Sequence, residues 1–355
     1  RLGGDEFVIF LDTVAGMPYA QMPLNDQLER TGAYLLESIS GPFEIAGVPI
    51  TVEAAVGVAH TGLPGMDSLD ALMVAADTAM YAAKRDRTRV EVWSPAIAST
   101  ASADLGLQTE LRGAIADGQL VVHYQPLVDA RTREIVSLEA LVRWEHPRRG
   151  LLPPGAFVPQ AESSDIIHLL TERVLADAVA QAARWHHGGW TVPVAVNLAA
   201  PVLTSDRIVH TIRRLLADSG LPPYALIVEI TESAVMTRPE QSAARLQAIR
   251  DLGVRIAMDD FGTGYTSLAL LSRLPLDELK LDRTFVMRVH EPHERVIVEA
   301  VTRMAGQLGL TSVAEGVEDE QTALTLAGIG VDLLQGYHFS RPVPAGELTP
   351  ALART

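Results

Sequence analysis

Acidic side chains in this sequence fall at or near the ends of short apolar runs. Glu139 lies in IVSLEALVRW (135–144), Asn197 near the end of VPVAVNL (192–198), and Glu229 late in ALIVEIT (225–231). Asp259 and Asp260 end VRIAMDD (254–260), and Lys280 lies in ELKLD (278–282). Glu315 ends TSVAE (311–315), and Gln335 lies in VDLLQG (331–336). Carboxylates gathered in one mouth repel one another and are forced to take up protons. Hard divalent cations remove that problem by taking oxygen ligands. Asp, Glu and an Asn carbonyl suit Mg²⁺ or Mn²⁺, and no histidine stands among these run ends, which argues against zinc. Adjacent Asp259 and Asp260 serve two ions if the strand breaks its alternation between them. Two ions about 3.5–4 Å apart form a clamp for in-line displacement at phosphorus. Lys280 is a lone cation in this set. It reads either as a buried counter-ion or as a group that orients an attacking water or stabilises charge building on phosphorus. Gln125 and Arg143 have the chemistry to reach a phosphate or a base, and equally to make structural hydrogen bonds.

Such a site requires elements that bring these runs to one rim. With LVVHYQP (120–126) as the first, eight strand-like runs succeed one another. From the second onward, helical patterns lie between them at roughly 164–187, 205–219, 238–252, 266–273, 293–308 and 318–328. Alternation of this kind over about 250 residues predicts an α/β fold, a (β/α)₈ TIM-like barrel. The polar residues then share the C-terminal rim, where such barrels build active sites. Singly, each would read as a helix cap or a solvated strand end; their joint placement argues against that. The first two runs are separated by only eight residues, Leu127 to Glu134. That is too short for a parallel crossover, so one antiparallel strand is expected. An open doubly wound sheet is the competing architecture, but no glycine-rich dinucleotide loop follows an early strand. After Asp260, Phe261-Gly-Thr-Gly-Tyr265 carries two glycines that permit unusual backbone angles and close approach of a ligand.

The 355 residues are 48% hydrophobic and 21% charged, a globular composition with about two domains expected. The formal net charge is −15 and basic stripes are missing, so a nucleic acid polymer is not the expected partner. There is no cysteine, hence no disulfide framework and no thiolate chemistry. No run of about 18 apolar residues and no signal peptide is present. A cytoplasmic location is expected. The chain begins at Arg1, so a piece of a longer protein is expected, whose parent could carry a membrane anchor or a sensor. Ser94 to Asp104 is small, polar and weakly periodic and reads as a linker; Leu107, Leu111 and Ile115 then recur at helical spacing.

The context LEALVRWEHP around Glu139-Ala140-Leu141 resembles the signature of EAL-domain phosphodiesterases, which hydrolyse cyclic di-GMP. The resemblance extends through YQPLV (124–128), PPGAFVPQAE (153–162), VNLA (196–199), EITES (229–233), DDFGTGYTSL (259–268), LKLDRTFV (279–286), AEGVE (314–318) and QGYHFSRPVP (335–344). It implies that Glu139, Asn197, Glu229 and Asp259 bind one metal, and that Asp259, Asp260 and Glu315 hold a second. It implies further that Lys280 contacts the attacking water, that Gln125, Leu141, Arg143 and Gln335 meet the substrate, and that Glu232 braces the DDFGTG loop. The implied catalytic set is Lys280, Glu315, Glu139 and Asp259. The resemblance also implies a cofactor of two Mg²⁺ or Mn²⁺ ions, linear pGpG as the product and a homodimer through the EAL domain. Ala199 stands where serine is common in the family and Val331 where cysteine is common; neither change removes a ligand.

The opening Arg1-Leu-Gly-Gly-Asp-Glu-Phe7 resembles the RxGGDEF signature of diguanylate cyclases. The resemblance continues through GPFEIAG (41–47), VEAAVGVAH (52–60) and AADTAMYAAKRDRTRV (75–90). It implies the C-terminal half of a GGDEF domain, with Gly3, Gly4, Asp5, Glu6 and Phe7 as its signature. Cyclase activity is not expected of this chain; a complete parent could bind GTP there or act as a cyclase. The expected organisation is a partial GGDEF domain over 1–94, a linker over 95–106 and an EAL barrel over 107–350. The leading functional reading is a metal-dependent cyclic di-GMP phosphodiesterase. The competing reading is a non-catalytic cyclic di-GMP receptor. An unrelated barrel phosphomonoesterase is a third, opposed by the QPLV, EAL and QGY matches.

Overall fold

The computed structural model describes residues 1, 6–11, 22–40, 43–45, 48–50, 54–63, 65–86, 88–236, 238–262 and 268–352. The chain divides into two compact units, Arg1–Thr109 and Glu110–Thr355.

The second unit is built on β1 (Leu120–Asp129), β2 (Ile135–His146), β3 (Val194–Asn197), β4 (Leu226–Thr231), β5 (Arg255–Phe261), β6 (Glu278–Leu281), β7 (Thr311–Ala314) and β8 (Leu333–Gln335). Each strand pairs with the next, and β8 returns to β1, so the sheet is a closed barrel. Pairings from β2 through β8 are parallel, whereas β1 runs antiparallel to both neighbours. This is the reversed strand expected from the eight-residue gap. Asp129 makes the turn that reverses it: its Oδ1 accepts from the N–H groups of Arg131 and Thr132, each at 2.8 Å.

Helices α1 (Ile166–His187), α2 (Arg207–Ser219), α3 (Pro239–Arg250), α4 (Leu268–Leu271), α5 (Pro292–Gln307) and α6 (Glu320–Ile329) follow β2 to β7 in turn. Their ends are set by local chemistry. Asp319 caps α6 by accepting from Thr322 N–H at 2.8 Å, and Gly330 closes it in a left-handed conformation. On the outside of β6 to β8, Leu281, Val286, Val298, Val317, Ala323, Leu326 and Leu334 form one apolar cluster. Inside, Ala195, Ile227 and Ala257 pack together. They stand two residues before Asn197, Glu229 and Asp259 on their strands, so strand alternation turns those polar side chains inward too, one layer higher. The apolar layer forms a floor beneath the polar rim.

Two short strands lie outside the sequence expectation. Gly150–Leu152 pairs with the end of β2, and Val343–Pro344 with β1 at Tyr124 and His123. Residues 95–106, read from composition as a linker, are helical. Pro95–Ala116 is one helix, begun by proline in its first turn and by Ser94 Oγ, which accepts from Ile97 N–H at 3.3 Å.

In the first unit, Val56–Val58 and Val90–Val92 form a parallel pair packed by helices Leu24–Ile39 and Leu69–Asp86. Gly57 is required there, because a Cβ would lie 2.0 Å from Ala76 O. Glu6 and Phe7 of the opening signature are exposed. Gly3, Gly4 and Asp5 lie outside the described residues. No helix among the described residues is long and apolar enough to cross a membrane.

Candidate active site

Lys280 sits on β6 with its side chain fully buried. Its Nζ lies 2.5 Å from Glu315 Oε1, 3.0 Å from Glu229 Oε1, 3.4 Å from Asp259 Oδ1 and 3.7 Å from Glu139 Oε2. Burial opposes the ammonium, but the surrounding carboxylates outweigh it and hold the pKa well above the usual lysine value. The strand register explains the gathering. Asn197 pairs with Glu229, so β3 and β4 present their polar residues at one height, and Ala257 pairs with Glu229, so Asp259 stands two residues further along β5, opposite Thr231.

The carboxylates are not equivalent. Burial pushes Glu139 upward, but Lys280 and hydrogen bonds from Gln335 and Asn197 reverse this and leave it below its ordinary value. Asn197 Nδ2 donates to Glu139 Oε1 at 2.7 Å, and Gln335 Nε2 donates to Oε2 at 2.6 Å. Burial drives Glu229 well upward, and the charges on Glu139, Asp259 and Glu315 add to it. The Lys280 ammonium, 3.0 Å from Oε1, is the cation that faces the fully buried Glu229 side chain. Burial lifts Glu315 to about 8, although Lys280 pulls it down.

At Asp260 the strand breaks its alternation. The residue has φ +55°, and its N–H donates to Asp259 Oδ1 at 2.9 Å. The pairing with β6 shifts register between Met258 and Phe261. The break brings Asp260 to the same side as Asp259, and a carboxylate oxygen from each of Asp259, Asp260 and Glu315 lies within 4.8 Å of the others. Burial, then the charges on Asp259 and Asp282, raise Asp260 to about 6. Asp282 was not singled out from the sequence. It caps the next turn through Thr284 N–H at 2.9 Å and faces Asp260 as well. Its position directly after the LKL run was the available signal.

These residues fit divalent cations. The ligating atoms on offer are oxygen throughout, Glu229 is fully buried beside the Lys280 ammonium, and Asp259, Asp260 and Glu315 converge. The protonation states give a testable sign. Glu315 at about 8, Asp260 at about 6 and the raised Glu229 all lie above their unfolded values. The folded chain therefore holds protons that the unfolded chain has released, and stability without metal falls as pH rises through about 5 to 8. Urea midpoints in EDTA are expected to be lower at about pH 8 than at about pH 5, and Mg²⁺ is expected to flatten that slope by displacing the protons. A midpoint that rises with pH in EDTA would contradict this assignment.

Gln335 Nε2 also reaches Gln125 Oε1 at 3.2 Å, and Gln125 Nε2 donates to Ser340 O at 3.0 Å. Gln335 Oε1 is buried and without a partner among the described residues. Leu141 and Arg143 stand further along β2, both half-buried. Arg143 Nη1 donates to Val142 O at 2.8 Å, and burial lowers its guanidinium from the usual range. Glu232 begins a short helix after β4, and its Oε2 accepts from Gly262 N–H at 3.2 Å. Residues 263–267 of the glycine loop lie outside the described residues.

The EAL domain family matches residues 108–342, and the chain belongs to it. The GGDEF domain family, named for diguanylate cyclase, matches residues 1–89, so the two stand in tandem. The chain is 38% identical to MucR of Pseudomonas aeruginosa, named a bifunctional diguanylate cyclase/cyclic di-GMP phosphodiesterase, over 99% of this chain and 50% of MucR. It is 37% identical to the cyclic di-GMP phosphodiesterase PdeR of Escherichia coli, over 97% of this chain and 51% of PdeR. The chain thus spans about half the length of these curated relatives. Among solved structures, the PaMucR phosphodiesterase in complex with c-di-GMP is similar with TM-score 0.67 and 42% identity, over 68% of this chain and 99% of that one. The EAL domain of Mycobacterium smegmatis DcpA is similar with TM-score 0.58 and 37% identity, over 66% and 98%.

Proposed function

We propose that the barrel is a metal-dependent phosphodiesterase that hydrolyses cyclic di-GMP to linear pGpG. The observation that carries the reading is the buried Lys280 among Glu139, Glu229, Asp259 and Glu315, beside the converging Asp259, Asp260 and Glu315. The names of MucR and PdeR and the ligand in the PaMucR structure support the choice of substrate.

Glu139, Asn197, Glu229 and Asp259 would hold one ion, and Asp259, Asp260 and Glu315 the second. Bound there, Mg²⁺ or Mn²⁺ would supply positive charge to the phosphodiester and acidify water. Asn197 and Gln335 hold the Glu139 carboxylate by both its oxygens and so fix its orientation. Lys280 offers its ammonium to the oxygen of an attacking water and balances the acids around it. Gln125, Leu141 and Arg143 line the approach for the dinucleotide. In-line attack opens one of the two diesters, and the 3′ oxygen leaves. Glu232 braces the start of the glycine loop at Gly262. The same reading includes a homodimer through the barrel and GTP at a complete GGDEF domain.

The test is incubation of the chain with cyclic di-GMP and Mg²⁺ or Mn²⁺, with and without EDTA, and separation of the products by chromatography. The expected result is pGpG that appears with metal and not with EDTA. Saturable binding of intact cyclic di-GMP without product would replace the enzyme by a receptor.

A further inference from the structure

Behind Gln335 the chain is held by a cation that the phosphodiesterase reading does not use. Arg133 closes the turn between β1 and β2 with φ +65°, a region that glycine enters freely and other residues rarely. Its N–H donates to Asp129 O at 3.0 Å, so the backbone part of the turn is complete without the side chain. The side chain reaches across to the segment that follows β8. Its guanidinium carbon lies 5.6 Å from the centroid of the Phe339 ring. Its Nη2 lies 3.6 Å from Glu320 Oε1, and Glu320 Oε2 lies 2.8 Å from His338 Nε2. Nη1 is buried and has no hydrogen-bond partner among the described residues. The guanidinium is therefore oriented by the ring and by Glu320.

These contacts grip the segment that fixes Gln335. Val317 N–H donates to Gln335 O at 3.0 Å, and His338 N–H donates to Val317 O at 3.0 Å. Gly336 packs so closely there that a Cβ would lie 2.0 Å from Val317 O. Phe339 rests against the apolar cluster that contains Val317 and Leu334. From this frame the Gln335 amide reaches 2.6 Å to Glu139.

We propose that Arg133 is a positioning residue. Through Phe339, Glu320 and His338 it holds the 335–339 segment in place and so keeps the Gln335 amide on Glu139. This rests on the phosphodiesterase reading above. A residue needed only to close the turn would be better as glycine, which has no Cβ to strain at φ +65°. The arginine is useful at this position for what its side chain holds. A cation over a ring and a partly exposed ion pair are each weak, but they act together on one short segment. Groups that orient a metal ligand from behind typically change activity or metal affinity by about 10–100-fold when removed.

The test uses the full chain and Arg133→Gly, which deletes the guanidinium and relieves the backbone, so the turn is retained. The expected result is a fall in kcat for cyclic di-GMP of about 10-fold with KM changed less than about twofold. Arg133→Lys, which keeps the cation, is expected to recover part of the loss. Amide exchange at Val317 and His338 is expected to rise while the amides of β3 to β5 keep their protection. An unchanged kcat, or exchange that rises uniformly through the barrel, would overturn the proposal. If the unmodified chain binds the dinucleotide without cleaving it, the phosphodiesterase reading fails separately. The exchange arm then decides: a local rise at Val317 and His338 sustains the grip of Arg133 on the segment, and no rise overturns it.

Discussion

Lys280→Met is expected to stop hydrolysis and to destabilise the metal-free chain by about 3–5 kcal/mol. Methionine fills nearly the same volume, so the loss is one of charge. Four carboxylates within 3.7 Å of the ammonium lose their counter-ion at once in a largely buried site. They respond by taking up protons, and Glu229 and Glu315 are already inclined to do so. The sign follows from linkage. The folded variant binds protons that the unfolded chain does not hold near neutral pH, so its stability falls as pH rises, more steeply than in the unmodified chain. Urea denaturation at about pH 6 and about pH 8, in EDTA and in Mg²⁺, measures this. Divalent cations are expected to restore much of the stability and none of the activity. A variant as stable as the unmodified chain in EDTA at the higher pH would show that the acids do not depend on the ammonium.

Glu139→Ala is expected to bring hydrolysis to background. Glu139 is the carboxylate whose two oxygens are both fixed, by Asn197 and by Gln335, and it also faces Lys280. Its removal deletes a metal ligand and takes the acceptor from both amides: Asn197 is exposed and can turn to water, while the buried Gln335 amide keeps only its 3.2 Å contact with Gln125 Oε1, a further cost of about 1–3 kcal/mol. Glu139→Gln separates the two effects. The amide oxygen can still accept one of these hydrogen bonds, so stability is expected to recover in part, while the lost charge keeps activity low. Full turnover by Glu139→Ala, measured as pGpG formed per minute, would show that the site is wrongly placed.

Much of this site could be read from the sequence because barrel strands are short and each carries its polar residue near one end. Apolar runs of four to seven residues ending in Asn197, Glu229, Asp259 and Glu315 carry both the element and its functional residue in one local pattern. The break at Asp260 was expected as a condition for two ions, and the positive φ meets that condition. Other features depend on contacts that local pattern does not encode. Gly150–Leu152 and Val343–Pro344 are too short to show a period, and exist because longer strands offer them an edge. The helix over Pro95–Ala116 was masked by small residues that look alike in linkers and in helices. Asp282 becomes part of the site only because Asp260 leaves the strand geometry and turns toward it. The reach of Arg133 to Phe339 joins residues far apart in sequence, and nothing near Arg133 announces it.

The reversal of β1 also decides where the polypeptide arrives. In a barrel of parallel strands alone, the chain enters at the floor, far from the chemistry. Here Leu120 pairs with Trp144, beyond Glu139 on β2, so residues 117–119 come in above the rim. Glu110, on the helix just before, holds His146 at the tip of β2 at 2.9 Å. The doorway of the barrel is therefore on the same side as its hearth. Through Glu110 and His146 the helix that ends at Ala116 touches the strand that carries Glu139.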